Sequence, residues 1–157
     1  MKKYRVLFLC IHNSARSQMA EAFLKRHGCE LFDAESAGLE PGKLNPNVVE
    51  VMKESGIDIS GNATKSVFDL YKRGESFSHV VTVCDREAAE RCPVFLGVAA
   101  RLHWPFPDPS KFQGSRDEML EKTREVRDQI EAKVKEFIRN VEDELPYPDD
   151  DLFKTRP

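Results

Sequence analysis

The stretch Val6-Leu7-Phe8-Leu9-Cys10-Ile11-His12-Asn13-Ser14-Ala15-Arg16-Ser17 decides how this chain is read. Its apolar run reads as a buried parallel strand, and Gln18 to Leu24 continues as an amphipathic helix. Cys10 and Arg16 therefore stand in the pattern C-x5-R-S at a strand-to-helix junction. In such a loop the backbone amides point at a bound anion, and the helix N-terminus adds positive potential. Arg16 comes back round the loop with a planar, bidentate grip on two oxygens. The same field favours Cys10 as thiolate, the reactive form. Ile11, His12, Asn13, Ser14, Ala15 and Arg16 can thus ring one tetrahedral oxyanion, with the Cys10 sulfur beneath its central atom. The plainer alternative is a structural cysteine before a helix with a surface arginine. Strand before, helix after and Ser17 beside Arg16 favour the cradle.

Working outward, the first strand is Tyr4 to Leu9 and the first helix runs from about Ser14 to His27, with Gly28 as its C-cap. Phe32 to Gly38 reads as a second strand, followed by a loop to Leu44. Asn45-Pro46 opens a helix, with proline in its first turn. Residues 56–62 connect to a short helix, Val67 to Lys72. His79 to Val83 is the third strand and delivers Cys84 at its end; Val98 to Trp104 is the fourth. The prolines of Trp104 to Pro109 exclude regular structure there. A charged helix from Arg116 to Val141 carries Met119, Val126, Ile130, Val134, Phe137 and Ile138 on one face. Alternating strands and helices predict an α/β fold, a small open parallel four-stranded sheet with helices on both faces. In such sheets the site lies beyond the carboxyl ends of the strands, where Cys10, Cys84 and Asp108 fall.

At 157 residues the chain suits one domain. Residues 1–142 are expected to form it, and 143–157 an acidic, proline-broken tail. The net charge of −3 argues against nucleic acid as a partner, so any anion binding is local. The apolar stretches fall far short of the roughly 20 residues of a membrane span. The basic start, Met1-Lys2-Lys3-Tyr4-Arg5, lacks the longer apolar region and cleavage site of a signal peptide. A cytoplasmic monomer is expected. The four cysteines then point to chemistry or metal, not to a disulfide scaffold.

Cys84 and Cys92 flank a run of good helix formers, stopped by Pro93. On a helix they would stand about 12 Å apart along the axis, against the 4.4–6.8 Å or so between the Cα atoms of a disulfide. They are either two unrelated core cysteines or a pair that joins only when the helix unwinds on oxidation. The spacing does not suit zinc. Cys29 has no evident role. Asp108, between Pro107 and Pro109, is either a plain turn residue or, protonated, an acid for a departing oxygen.

These residues together resemble the thioredoxin-linked arsenate reductases, which share the fold of low-molecular-weight protein tyrosine phosphatases. The likeness rests on Cys10-x-x-Asn13-x-x-Arg16-Ser17-Gln18-Met19-Ala20-Glu21, Ser36-Ala37-Gly38, Val81-Thr82-Val83-Cys84-Asp85, Cys92-Pro93 and His103-Trp104-x-Phe106-x-Asp108-Pro109. It implies that Cys10 attacks arsenate, that Arg16 and the loop amides hold the oxygens, and that Ser17 hydrogen-bonds the thiolate. Asp108 would protonate the departing oxygen. Cys84 would attack Cys10 and release arsenite, and Cys92 would attack Cys84 to present a disulfide to thioredoxin. No organic cofactor is implied. Asn13, Glu21 and Ser36 match residues that bind potassium in some members, whereas the acidic fourth ligand has no counterpart near Lys65-Ser66. His12 stands where many members carry glycine, Ala15 where some carry cysteine, and the Cys84–Cys92 offset is one residue longer than usual.

Phosphate and arsenate are near-isosteric, so the cradle alone does not choose between them. Arsenate bound through sulfur can be reduced by a second thiol, and a third can then clear the disulfide. The main alternative is a low-molecular-weight phosphatase hydrolysing phosphomonoesters, disfavoured by Ser110 where that family usually has an aromatic residue. A binding module that senses oxyanions would need no proton donor. Glutaredoxin in place of thioredoxin would leave Cys92 without a task.

Overall fold

The apolar run at the N-terminus is the middle of the sheet. β1 (Tyr4–Cys10) pairs on one side with β2 (Phe32–Gly38) and on the other with β3 (His79–Thr82), and β4 (Ala100–His103) flanks β3. All pairings are parallel, in the order β2-β1-β3-β4. The structure, a computed structural model, describes residues 3–84, 86–95 and 97–144, with only the backbone of 86–88. Val6, Leu7, Phe8 and Leu9 are all fully buried. Successive strand residues point to opposite faces, so both faces of β1 are covered.

The helices are α1 (Arg16–Gly28), α2 (Pro46–Glu54), α3 (Val67–Lys72), α4 (Arg86–Arg91) and α5 (Arg116–Glu144). The ring of Phe137 on α5 lies 5.3 Å from Phe32, 5.4 Å from His79 and 5.6 Å from Trp104, and Trp104 lies 5.9 Å from Phe8. Helix α5 therefore covers the even-numbered face of β1. Asn45 caps α2 by accepting from the amides of Asn47 and Val48, and Ser66 caps α3 through the Phe68 amide.

Several boundaries differ from the sequence expectation. Gly28 is the last residue of α1 and no left-handed cap, because Cys29 after it stays in the right-handed helical region. The glycine serves packing: a Cβ there would stand 2.8 Å from the Phe32 ring and 3.2 Å from Ile138. β4 is shorter than expected, since Pro105 follows within two residues, although the Trp104 amide still donates to Thr82 O at 2.8 Å. A 3-10 turn over Pro109–Lys111 appears where no regular structure was expected, held by the Asp108 side chain. On α5 the buried stripe includes Leu120 and Thr123, whereas Met119 is only half-buried. Helix α5 runs on to Glu144; residues 145–157, which make up nearly all of the expected tail, lie outside the described residues, as does Asp85.

Register brings the strand ends level. Cys10 pairs with Gly38, Leu9 with Thr82, and Thr82 with His103. The chain order reverses at β1, and in sheets of this kind the carboxyl ends of the strands at that switch point are where ligands bind.

Candidate active site

The loop from Cys10 to Arg16 is shaped from outside by the segment that follows β2. The carbonyls of Cys10, Ile11, His12 and Ser14 accept from the amides of Leu39 (3.3 Å), Glu40 (2.8 Å), Gly42 (2.9 Å) and Asn45 (2.9 Å). The Asn13 carbonyl accepts from the Gln18 side chain at 3.1 Å. In a planar trans peptide the N–H points opposite to the C=O. With these five carbonyls turned outward, the amides of Ile11, His12, Asn13, Ser14 and Ala15 turn inward. The Asn13 amide demonstrates it, donating to the Cys10 sulfur at 3.0 Å. Asn13 takes a left-handed φ of 53°, which its residue type tolerates better than most. Helix α1 starts with no side-chain cap, so its first amides also face the ring. Gly38 is obligatory beneath it: a Cβ there would lie 2.6 Å from Ile11 O and 2.8 Å from Asn13 N.

Cys10 is buried, and its sulfur lies 2.8 Å from Ser17 Oγ as well as beside the Asn13 amide. Asn13 Nδ2 donates to Ser17 Oγ (2.8 Å) and to Ser36 Oγ (2.9 Å), and Ser36 donates to Glu21 Oε1 at 2.6 Å. Buried hydroxyls and amides are thus satisfied by one another, in a network that ends on the sulfur.

Arg16 is buried at the mouth of the ring. One guanidinium nitrogen donates to Phe106 O at 3.1 Å and another lies 3.5 Å from Asp108 Oδ2. Burial raises the Asp108 carboxyl, but hydrogen bonds from Ser110 and the charges of Arg16 and Lys111 outweigh it and hold the group below the usual carboxylate range. The protonated acid expected from the sequence is therefore not the form at rest. Its Oδ1 accepts from the Ser110 amide and hydroxyl at 3.0 and 2.8 Å, a role for Ser110 that its residue type did not announce.

Cys84 lies two residues beyond the end of β3. Its sulfur lies 3.9 Å from Leu9 O, and the Val83 amide donates to the same carbonyl at 3.0 Å. The second thiol is thereby placed next to the strand end that carries Cys10. Cys92 is buried just beyond α4, its sulfur 3.3 Å from Pro93 O. Burial pushes the Cys92 thiol up, with Arg101 opposing. All four cysteines carry thiols, and Cys29 is exposed at the end of α1, away from this cluster.

Comparison with known proteins places this geometry. Residues 5–146 match the low molecular weight phosphotyrosine protein phosphatase family. The chain belongs to that family. Among its relatives, an arsenate reductase of Shouchella clausii is 41% identical over 143 residues, covering 90% of this chain and all of that one. An arsenate reductase of Bacillus subtilis is 42% identical over 137 residues, covering 87% and 96%. Among solved structures, the thioredoxin-dependent arsenate reductase Cg_ArsC1' of Corynebacterium glutamicum superposes with a TM-score of 0.67 at 26% identity, covering 89% of this chain and 62% of that one.

In this member of the phosphatase family the potassium ligand set does not fit. Asn13 Oδ1 already accepts from the Lys65 amide (2.9 Å) and from Gln18 (3.1 Å), and Ser36 is spent on Glu21. The Lys65 ammonium lies 3.2 Å from Glu21 Oε1 and 2.5 Å from Glu35 Oε1, where a metal cation would have to stand. No group of three or more His, Cys, Asp or Glu side chains suited to a metal occurs among the described residues, and no helix among them is long and apolar enough to cross a membrane. Sequence reasoning gave no role to Gln18, which joins Asn13, Ala63 and Asn62. A glutamine directly after the arginine and serine of the loop, on a helix otherwise buried there, was the available signal.

Proposed function

We propose that this protein reduces arsenate to arsenite, with Cys10 as nucleophile and Cys84 and Cys92 as successive partner thiols. The observation that carries the reading is the second thiol. Cys84 lies against the carbonyl of the residue before Cys10, a placement that a hydrolase does not need. The two relatives above, both named arsenate reductases, support the same substrate.

Arsenate enters the ring of amides and draws Arg16 away from Asp108. Its negative charge then raises the Asp108 carboxyl, which takes up a proton from solvent and delivers it to the hydroxyl group of monohydrogen arsenate, the departing oxygen. The Cys10 thiolate forms a bond to arsenic while that oxygen leaves as water. Cys84 attacks the Cys10 sulfur: an S–S bond forms, the S–As bond breaks, and its electron pair stays on arsenic, which leaves as arsenite. Cys92 then attacks Cys84 and returns Cys10 as thiolate. This last step needs α4 to unwind, since α4 separates the two thiols. Thioredoxin is the dithiol that reduces the Cys84–Cys92 bond, in keeping with the thioredoxin dependence of the C. glutamicum neighbour.

The test is arsenate reduction with thioredoxin supplied, in single and multiple turnover. Cys92→Ser completes about one turnover and stalls, as expected when nothing clears the first disulfide, and Cys84→Ser releases no arsenite. Equal steady-state rates for wild type and Cys92→Ser reject the relay. Hydrolysis of p-nitrophenyl phosphate far faster than arsenate reduction would make the protein a phosphatase instead.

A further inference from the structure

The disagreement at the potassium ligands is itself informative, because every donor in the network beside Cys10 has a forced direction. The Lys65 amide can only donate, so the Asn13 atom it meets is the carbonyl oxygen, and the atom facing Ser17 and Ser36 is the NH2 group. A carboxylate can only accept, so Ser36 gives its hydrogen to Glu21. Ser36 then accepts from Asn13, whose remaining hydrogen goes to Ser17, and the Ser17 hydrogen is left for the Cys10 sulfur. This sense holds only while Glu21 carries its charge. As a neutral acid donating to Ser36 it would turn the Ser36 hydrogen against the Asn13 NH2 group, and the contact that helps hold Asn13 beside Ser17 would break.

Glu21 is buried, and an unpaired buried carboxylate is costly. Lys25 pairs with its outer oxygen at 2.8 Å from the solvent side. The inner oxygen, the one that holds Ser36, is met by Lys65. Lys65 is itself steadied by Glu35. Its backbone is fixed as well, since Lys65 O accepts from Gly38 N at 2.8 Å, tying it to the end of β2 beneath the ring.

We propose that Lys65 is a positioning residue whose ammonium group replaces a bound monovalent cation at Glu21 and holds the hydrogen-bond chain in the sense that points Ser17 at the Cys10 sulfur. The protein then needs no potassium. Arginine in its place keeps the charge; removing the side chain both loses the orientation and leaves room for a cation.

This inference rests on Cys10 being the reactive thiol, so the readout is Cys10 itself. The rate of Cys10 alkylation by iodoacetamide at pH 7 is followed by peptide mass mapping, in potassium chloride and in choline chloride at equal ionic strength, with thermal unfolding as the check on folding. Wild type reacts equally in both salts. Lys65→Ala in choline slows by about fivefold, within the coupling that residues of one hydrogen-bond network share, and potassium restores part of the loss. Lys65→Arg reacts as wild type. Lys65→Ala adds nothing in a Glu21→Gln background, because the lysine acts through that carboxylate. The inference is overturned by an unchanged rate in Lys65→Ala, by a loss that neither potassium nor arginine restores, or by a wild type that potassium accelerates. A wild-type Cys10 no more reactive than Cys29 would instead sink the assignment of the nucleophile.

Discussion

Gly38→Ala is the sharpest perturbation of the cradle, since it adds one methyl group outside the ring and removes nothing from it. The new Cβ would lie 2.6 Å from Ile11 O, 2.8 Å from Asn13 N and 2.9 Å from His12 C, all backbone atoms that have no rotamer to escape into. Restoring an ordinary contact moves the loop by about 0.8 Å, measured at the Ile11 carbonyl. That shift pulls on the Glu40 amide, which accepts no slack because its bond to the same carbonyl is 2.8 Å long. Overpacking of this kind costs about 1–3 kcal/mol of stability. The larger effect falls on oxyanion binding, because a misplacement of about 1 Å in a reacting site costs on the order of a hundredfold in rate. Arsenate reduction with thioredoxin in excess, together with thermal unfolding, reads both. The expected variant folds with a lowered melting temperature and has lost most of kcat/KM. Wild-type turnover and an unchanged melting point would refute the claim that strand and loop are in contact at Gly38.

Three further outcomes follow from particular contacts. Ser17→Ala removes a hydrogen bond to the sulfur, and Cys10 alkylation at neutral pH is expected to slow by about tenfold, the scale of a bond to a charged group; an unaltered rate contradicts the donor role. Burial lowers His79 from its usual 6.5, with Glu144 opposing, so the folded state holds it neutral where the unfolded chain begins to bind a proton. Its contribution to stability is therefore complete above pH 6.5 and drains away as pH falls towards the folded value; an NMR titration midpoint at or above 6.5 would reverse the sign. On α5, Leu120→Ala should cost about 2–5 kcal/mol in urea unfolding and Met119→Ala clearly less, because Leu120 is the buried neighbour of the pair. Equal losses would restore the stripe expected from periodicity.

The sheet was legible because its determinants are local. The run from Val6 to Leu9 reads as a strand buried on both faces, and proline at 46 marked where a helix begins. The places of Cys10, Arg16, Ser17 and Cys84 in the fold were legible for the same reason: each sits at or just after a strand end or in the first turn of a helix, and parallel register collects those ends. What remained hidden depends on partners far along the chain. Gly28 looks like a helix cap in sequence and is in fact a gap for Phe32 and Ile138, more than a hundred residues apart. The state of Asp108 depends on Arg16 and Ser110, which no spacing rule connects. Met119 and Leu120 differ by a rotation of one residue, which the pattern of a long charged helix fixes only where it meets the core. The Lys65 ammonium reaches Glu21 across 44 positions, a contact that only folding reveals.

The outward carbonyls of the loop and the amides of residues 39–45 form a seam along which one surface turn acts as a mould for another. Surface turns usually absorb insertions and nicks at little expense. This one should not. A protease cut or an added residue between Leu39 and Asn45 would leave the four strands and the long C-terminal helix intact, yet free the peptide planes that face the sulfur. Such a molecule would still look folded by circular dichroism and would have no anion site, so evolution can vary almost any other rim of this protein more freely than that short turn.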